Sequence, residues 1–315
     1  MDTPITKALK GMATISDSVR KPVLQYEGKI WRPPSEAKSL ILQATVGCSH
    51  NACIFCVSYK NKRYRVRGAS GISQDVDQLS NNVKQYTNRV FLADGNALTM
   101  DTDEMANTLK ALDRELPSLE RVGTYAYAGD VEDKSVDDLK RLRELGLGLV
   151  YLGLETGDDD LLKWVRKGVT NDENIEACKK IRAAGIPLSL TIILGLGGLE
   201  NSEQHARATA KALNRINPEY IGALTLMTPP GTPIHRMVQK GEFQPMKPFD
   251  ILKEMKILVE GLELTQCIFR TNHASNYLSL GGTLNRDKEN ILNTLKEALT
   301  RQDKGNLKPS YMRGL

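Results

Sequence analysis

The chain has 315 residues, 40% hydrophobic and 26% charged, a composition typical of a soluble globular protein with a sizeable core. Its net charge of +5 is compatible with an anionic substrate or RNA but requires neither. The first twenty residues lack the apolar core of a signal peptide, and the longest apolar run, residues 188–199, is too short to cross a bilayer. We therefore expect a cytoplasmic protein, not attached to a membrane, whose thiols stay reduced.

Two regions with different patterns follow one another along the chain. Residues 1–38 read as an N-terminal extension, in which Trp31 and the Pro33-Pro34 pair indicate an extended arm lying on the body of the protein. From Ser39 onward, β-branched apolar runs alternate with amphipathic helical segments, which predicts βα units and a parallel sheet. The predicted strands are Leu40–Val46, Arg89–Ala93, Arg121–Ala126, Leu149–Leu154, Leu188–Leu194 and Ile221–Met227.

The helices between these strands carry ordinary boundary signals. One of them opens with a capping box, Thr170 followed by Glu173, and ends before Gly185. Six such units predict an α/β fold, a partial (β/α)6 TIM-type barrel over residues 39–235. A C-terminal extension packed on the barrel, residues 236–315, is predicted to hold a helix (248–262), a strand near Cys267–Asn272 and a terminal helix (285–300).

Three cysteines follow the first predicted strand directly: Cys48, Cys53 and Cys56. Thiolates are soft ligands that suit iron–sulfur clusters or zinc, and three of them leave one iron of a four-iron cluster open to a substrate. The alternative is a structural zinc site with His50 as the fourth ligand. Such sites usually draw on two separated ligand pairs, and the other two cysteines are isolated, so each is expected to pack in the core.

This cysteine motif, with Phe55 before the last cysteine, resembles that of the radical S-adenosylmethionine (SAM) superfamily over residues 39–227. Its CX4CX2C spacing has one residue more in the first gap than the common motif. The resemblance implies a [4Fe–4S] cluster on the three cysteines, whose open iron binds SAM, with Phe55 beside the adenine. One electron, supplied by a partner such as flavodoxin or ferredoxin, would cleave SAM to methionine and a 5′-deoxyadenosyl radical that abstracts hydrogen from the substrate.

The ends of the other strands carry further candidates, because chemistry gathers at the carboxyl ends of barrel strands. The resemblance implies that residues 94–96 contact the methionine amino group, that Glu155 binds the ribose hydroxyls, and that Arg166 or Lys167 meets the SAM carboxylate. Either cation is equally explained as a solvated helix end. The cofactor-binding candidates after Phe55 are Asp94, Gly95, Asn96, Glu155, Arg166, Lys167, Gly195, Gly197 and Met227, the last three toward the adenine. Residues 158–168 resemble the branch with methylthiotransferases, elongator-type enzymes and oxygen-independent coproporphyrinogen oxidases.

Candidate substrate residues lie in two polar segments. Arg65 and Arg67 alternate along a basic run that follows the cysteines, and guanidinium groups suit carboxylate or phosphate, although a solvated edge explains the run equally well. Residues 269–277 contribute Arg270, Asn276 and His273, the last a candidate for proton transfer, with a hydrogen-bonded structural turn as the alternative. Tyr125, near the end of the third strand, is a weaker candidate.

The favoured hypothesis is a radical SAM enzyme acting on a small, anionic molecule. RNA modification and a non-catalytic zinc or iron–sulfur protein are the alternatives. No second cysteine cluster is present, which argues against sulfur insertion with an auxiliary cluster. Coproporphyrinogen oxidases, the nearest resemblance, carry a larger C-terminal domain, so porphyrin oxidation is not expected.

Overall fold

The structure is a computed structural model that describes residues 24–315. The first 23 residues of the predicted N-terminal extension lie outside the described part of the chain. None of the helices in the described part is both long enough and apolar enough to span a membrane.

Eight strands form one sheet in which every neighbouring pair is parallel except the last. The strands of the described residues are β1 (Leu40–Gln43), β2 (Thr45–Val46), β3 (Arg65–Val66), β4 (Arg89–Ala93), β5 (Arg121–Ala126), β6 (Leu147–Glu155), β7 (Leu188–Leu194), β8 (Tyr220–Thr225), β9 (Cys267–Arg270) and β10 (Gly281–Leu284). The order is β1-β4-β5-β6-β7-β8-β9-β10, while β2 and β3 pair separately. The predicted α/β fold with a partial barrel is therefore confirmed.

Helices connect the parallel strands and cover the outside of the sheet. They are α1 (Gly68–Asp77), α2 (Asn81–Tyr86), α3 (Thr102–Glu115), α4 (Val136–Glu144), α5 (Asp159–Trp164), α6 (Asn171–Ala183), α7 (Ser202–Ile216), α8 (Pro233–Gln239), α9 (Pro248–Glu260) and α10 (Lys288–Arg301). The predicted capping box is present at α6, where Thr170 accepts from the Glu173 N–H and Glu173 accepts from the Thr170 N–H. The helix predicted over 248–262 is α9, and the terminal helix is α10.

The sheet is larger than the six predicted strands. The strand predicted near Cys267 pairs in parallel with β8 as a seventh strand, so it extends the barrel sheet. Its antiparallel neighbour β10 has the sequence GGTL, in which two glycines leave no apolar pattern to detect. The first predicted strand is interrupted at Ala44, whose carbonyl turns to accept from the Arg67 and Gly68 N–H groups.

The inner face of the sheet carries side chains in two rows. Strand register aligns Tyr125, Tyr151, Ser189 and Tyr220 across β5 to β8, and Ile268 of β9 continues that row. Two residues further along the strands, a second row aligns Gly153, Thr191, Gly222 and Arg270. Because the second row contains two glycines, its side chains leave more room inside the barrel than the row of tyrosines does.

The described part of the N-terminal extension, residues 24–38, is here named the N-terminal strap. Its Glu36 carboxylate is fully buried and accepts from Arg121 Nη2 (2.6 Å) and from Tyr151 Oη (2.5 Å). Trp31 Nε1 donates to the Ser58 carbonyl at 3.3 Å. The strap is thereby tied both to the barrel interior and to the loop that carries the cysteines.

Candidate active site

The cysteine loop, residues 47–61, crosses the end of the barrel directly after β2. Its middle is held by the backbone of Ile54, whose N–H donates to the Val165 carbonyl and whose carbonyl accepts from the Ile234 N–H. All three cysteines are free and partly exposed. Burial raises the pKa of Cys48, and it raises the pKa of Cys53 to about 11, with the Lys167 charge acting in the opposite direction. The loop thus presents three thiols that must lose protons to bind metal.

The surroundings of His50 bear on the alternative of a four-ligand zinc site. Within residues 24–315, no three His, Cys, Asp or Glu side chains are gathered closely enough to hold a metal ion as they stand. His50, the proposed fourth ligand, directs Nε2 at the Arg166 carbonyl at 2.7 Å and stacks on Tyr127 with ring centroids 4.8 Å apart. In an iron–sulfur cluster each thiolate takes a different iron, so the thiols do not need such tight clustering.

Residues 94–96 lie directly against the cysteine loop. Asp94 is fully buried, and its Oδ2 accepts from Lys62 Nζ (2.6 Å), Gln43 Nε2 (2.8 Å) and the Gly47 N–H (3.2 Å). Its other oxygen, Oδ1, is buried without a hydrogen-bond partner in the described residues. A buried acceptor without a partner is rare, so this oxygen can receive a hydrogen bond from a bound molecule.

Gly95 and Asn96 fit the loop from the same turn. A Cβ on Gly95 would lie 2.5 Å from the Gly47 carbonyl oxygen and 2.7 Å from Cys48 Cβ, so only glycine allows this approach. Asn96 accepts from the Ser49 N–H with Oδ1, and with Nδ2 it donates to both oxygens of Asp130. Burial raises the pKa of Asp130 to about 6.

A buried ion pair faces the thiols from the end of β6. Lys167 Nζ lies 2.8 Å from Glu155 Oε1, and both side chains are about 90% buried. Burial alone would lower the pKa of Lys167. The Glu155 carboxylate, with Cys53 and Cys48, outweighs this effect and raises the pKa above its ordinary value, so the lysine stays charged. Of the two predicted cations, Arg166 instead has an exposed side chain and a positive φ of 57°. Of the two cations, Lys167 is therefore the one that is buried beside the cysteine loop, while Arg166 points to solvent.

A small apolar cluster lies beside the cysteine loop. Phe55 packs there with Leu196 of the glycine-containing loop after β7 and with Leu226 at the end of β8. Gly195, in that loop, has a φ of +80°, and Gly197 packs against Leu161 and Asn201. Met227 lines a cavity of about 860 Å³ between the strap, the cysteine loop and the segment after β8. The predicted adenine residues therefore lie around one end of the barrel.

Glu254 of α9, which was not predicted, fixes the glycine-containing loop. It is fully buried and accepts from the Gly195 N–H and from Ser202 Oγ, both at 2.6 Å. Burial raises its pKa to about 7. Because the native state holds a proton that the unfolded state has released, stability falls as pH rises from about 4.5 to 7.

The variant Glu254→Gln is expected to remove that pH dependence. Glutamine keeps both bonds, since Oε1 still accepts from Gly195 and Nε2 can donate to Ser202 Oγ. We expect the variant to be more stable than the wild type at pH 8, by on the order of 3 kcal/mol, and about equal at pH 4.5. Urea unfolding at the two pH values measures this, with exposed Glu203→Gln as control. A difference that does not change with pH would contradict the expectation.

A cavity of about 740 Å³ occupies the barrel interior. Its walls include the aromatic row, most of the second row, Gly95 beside the cysteine loop, and residues 31–35 of the strap. Prediction from sequence missed several of its residues: Trp31, Arg32, Tyr59, Tyr151, Ser189, Thr191 and Gly222. The signal for two of them was present, because Ser189 and Thr191 are polar at alternate positions of an otherwise apolar strand.

The predicted substrate residues fall into two groups. Tyr125, Arg270 and His273 line the barrel cavity. Arg65 and Arg67 do not: Arg65 pairs with the exposed Glu27, and Arg67 makes a bidentate pair with Asp75. The prediction of substrate contacts is therefore not supported for these two arginines, whose charges are already matched.

Asn276 also departs from its predicted role. It is buried, and its amide donates to the Ala223 and Thr271 carbonyls while Oδ1 accepts from Thr225 Oγ1. All its strong hydrogen-bonding positions are occupied by the protein, so it has the structural role that was the alternative. It ties the segment after β9 to β8.

His273 keeps one ring nitrogen available. Its Nδ1 accepts from the Ser275 N–H (3.2 Å) and lies 2.9 Å from Ser275 Oγ, which itself accepts from the Thr225 N–H. Burial, with the Lys308 charge, lowers the pKa of His273, so the ring is neutral near pH 7 and carries its proton on Nε2. A neutral donor at the cavity wall is the result.

Family models identify the class of protein that this fold and site belong to. The Radical SAM superfamily model matches residues 42–211, which is more than half of the chain. The chain belongs to the radical SAM superfamily. Its members bind a [4Fe–4S] cluster and SAM and generally need an electron donor. The three thiols, the buried acceptor of Asp94 and the close approach of Gly95 fit these groups.

Curated relatives match only in part. The heme chaperone HemW of Bacillus subtilis (strain 168) is 22% identical over 153 residues, covering 48% of this chain and 40% of that protein. A tRNA-2-methylthio-N(6)-dimethylallyladenosine synthase of Dehalococcoides mccartyi (strain BAV1) is 30% identical over 182 residues, covering 55% of this chain and 41% of the synthase. The chain thus spans about two fifths of the length of these relatives.

Solved structures share the fold. The cobalamin-dependent radical SAM enzyme OxsB, with SAM bound, superposes with a TM-score of 0.55 at 17% identity, covering 69% of this chain and 40% of OxsB. Methylornithine synthase PylB superposes with a TM-score of 0.51 at 16% identity, covering 72% of this chain and 63% of PylB. Coproporphyrinogen III oxidase HemN of Escherichia coli superposes with a TM-score of 0.50 at 15% identity, covering 70% of this chain and 52% of HemN. At these identities the likeness concerns the fold alone.

Proposed function

We propose that this protein is a radical SAM enzyme that takes a hydrogen atom from a small anionic molecule held in the barrel cavity. With cluster and SAM bound, the site would supply one-electron chemistry that converts SAM to methionine and 5′-deoxyadenosine, the added hydrogen atom coming from the substrate. The observation that carries the proposal is that one cavity runs from Gly95, against Cys48, to Arg270 and His273.

Each part of the chain has a role in this proposal. Cys48, Cys53 and Cys56 hold the cluster. The Asp94 Oδ1 acceptor and the Glu155–Lys167 pair bind the polar ends of SAM, because a buried unpaired acceptor and a buried pair of opposite charges complement its amino, carboxylate and hydroxyl groups. The cluster of Phe55, Leu196 and Leu226 receives the adenine.

The cavity walls also support a division of the chain. Residues 39–235 supply the barrel and the proposed SAM site, while residues 236–315 supply Arg270, His273 and the α9 carboxylate that holds the loop after β7. We propose these as core and C-terminal extension, with the strap as a third contributor. A cytoplasmic location and electron delivery by a flavodoxin or ferredoxin complete the proposal.

His273 is the proposed proton-transfer residue. Its neutral ring presents Nε2–H at the cavity wall, and the Ser275 contact to Nδ1 fixes which nitrogen carries the proton. General acid–base catalysis requires a group within hydrogen-bond reach of the substrate, and the position of His273 on the cavity wall is what supports this role.

The proposed function is tested by product formation. Anaerobically reconstituted protein is reduced with dithionite and given SAM, and 5′-deoxyadenosine is measured by chromatography. We expect product from the wild type, a loss of at least a hundredfold in Cys53→Ala, and little change in Cys178→Ala, whose thiol is buried in the outer core. If no product formed and the absorption spectrum of the protein did not change on addition of SAM, the proposal would be overturned. That result would favour a non-catalytic iron–sulfur or zinc protein.

RNA modification is the second candidate, favoured by the similarity to a tRNA-modifying synthase over 182 residues. The positive charge of +5 is compatible with it. Binding of bulk tRNA that weakens at least tenfold between 50 and 200 mM salt would support this candidate, because phosphate contacts release counterions. Absence of binding at 50 mM would remove it.

A further inference from the structure

The charged side chains on the wall of the barrel cavity have one sign. Arg32 of the strap and Arg270 of β9 both line it, and no aspartate or glutamate side chain of the described residues does. His273, the third titratable cation-forming group on the wall, is neutral because burial lowers its pKa. A partly enclosed cavity with two permanent positive charges attracts an anion.

These two arginines are also left without acidic partners. Other arginines on the strap side of the barrel are matched: Arg65 with Glu27, Arg67 with Asp75 and Arg121 with Glu36. Within residues 24–315, neither Arg32 nor Arg270 forms an ion pair, and both side chains are exposed to the cavity and solvent. Their guanidinium groups can therefore donate hydrogen bonds to a carboxylate or phosphate without giving up an ion pair within the described residues.

The part of the cavity next to Arg270 has room for an anionic ligand. Arg270 lies in the same row as Thr191 and Gly222, and a Cβ on Gly222 would meet no atom nearer than 4.0 Å. Arg32 of the strap lines the same cavity as Tyr125, Tyr151 and Tyr220 of the aromatic row. Apolar surface makes up most of the wall, and the volume of about 740 Å³ is that of a small-molecule site.

Resting on the function proposed above, we propose that the substrate carries a carboxylate or phosphate, bound jointly by Arg32 and Arg270, on an apolar body that packs on the tyrosine row. Arg32 would thus be a specificity-determining residue supplied by the strap. The substrate class is a compact anionic molecule with an aromatic or hydrocarbon part.

Ligand-observed ¹⁹F NMR on the full chain, reconstituted anaerobically and supplied with SAM, tests the site without requiring turnover. The probes are 4-fluorobenzoate, 4-fluorophenyl phosphate and the uncharged 4-fluorobenzamide. We expect at least one anion to bind in the millimolar range or better, at least tenfold more tightly than the amide. The stronger of the two anions identifies carboxylate or phosphate as the preferred group.

Matched variants locate the binding. Arg32→Gln and Arg270→Gln should each weaken anion binding at least tenfold and leave amide binding unchanged, whereas Arg89→Gln, an exposed arginine at the start of β4, should change neither. Arg270→Lys should retain part of the affinity because it keeps the charge. Gly222→Leu, which fills the cavity, should remove binding of all three probes.

The inference would be overturned by equal binding of anions and amide, or by anion binding unchanged in both glutamine variants. Absence of saturable binding by either anion would overturn it as well. The same preparations report on 5′-deoxyadenosine, so a protein that forms this product but fails the binding test retains the proposed function and loses only the anion site.

Discussion

Replacing Gly95 with alanine is expected to lower the iron and sulfide content of the reconstituted protein at least tenfold. The added methyl group would lie 2.5 Å from the Gly47 carbonyl oxygen and 2.8 Å from Cys48 Cα. These are backbone atoms, which cannot rotate away as a flexible side chain can, so the loop must shift and carry Cys48 out of place. Overpacking of this kind also costs about 1–3 kcal/mol of stability.

The control is Gly222→Ala, a glycine in the same cavity whose added Cβ would have no neighbour nearer than 4.0 Å. It should load iron like the wild type. Iron and sulfide assays with the absorbance near 400 nm measure loading, and thermal unfolding of the untreated proteins separates a displaced loop from a protein that fails to fold. Normal loading in Gly95→Ala would show that the approach of Gly95 to Cys48 is not needed.

Replacing Lys167 with methionine is expected to destabilise the protein by about 3–5 kcal/mol. The change leaves the Glu155 carboxylate buried near the Cys53 thiol with its partner removed, and an uncompensated buried charge is far more costly than the loss of the pair itself. Adding Glu155→Gln to the same chain should recover most of the loss, since the charge that needs compensation is then gone.

A double-mutant cycle by urea unfolding measures this coupling. The comparison pair is Arg207 and Glu203 on α7, both more than 60% exposed, where Arg207→Met should cost less than about 0.5 kcal/mol. If the double variant at Lys167 and Glu155 lost as much as the two single variants together, the pair would not be coupled, and its proposed place in the SAM site would lack support.

Prediction from the sequence succeeded where local pattern decides structure. Apolar runs located the strands of the barrel, and the Thr170–Glu173 capping box located the start of α6. It failed where tertiary contacts decide. The pair of glycines in β10 shows no strand pattern, and it becomes a strand only because β9 offers it an edge.

The site followed the same division. Residues at strand ends were found because parallel strands bring their carboxyl ends together. Arg32 was missed because long-range contacts place the strap on the barrel, such as the pairing of Glu36 with Arg121, which is 85 residues away in the chain. The sequence shows that Asn276 is polar. It does not show that the hydrogen-bonding groups of Asn276 are already used within the protein.

The strap also protects an edge of the sheet. Strand β1 ends the described sheet and has no neighbouring strand on its outer side, a position that invites pairing with other chains. Tyr26 Oη donates to the Ile41 carbonyl of β1 at 2.8 Å, and the Glu27 N–H donates to the Gln43 side chain at 2.9 Å. Removing residues 24–38 would therefore expose an aggregation-prone edge of the sheet, and it would also take Arg32 from the wall of the barrel cavity. Solubility and the proposed selectivity for anions thus depend on the same fifteen residues.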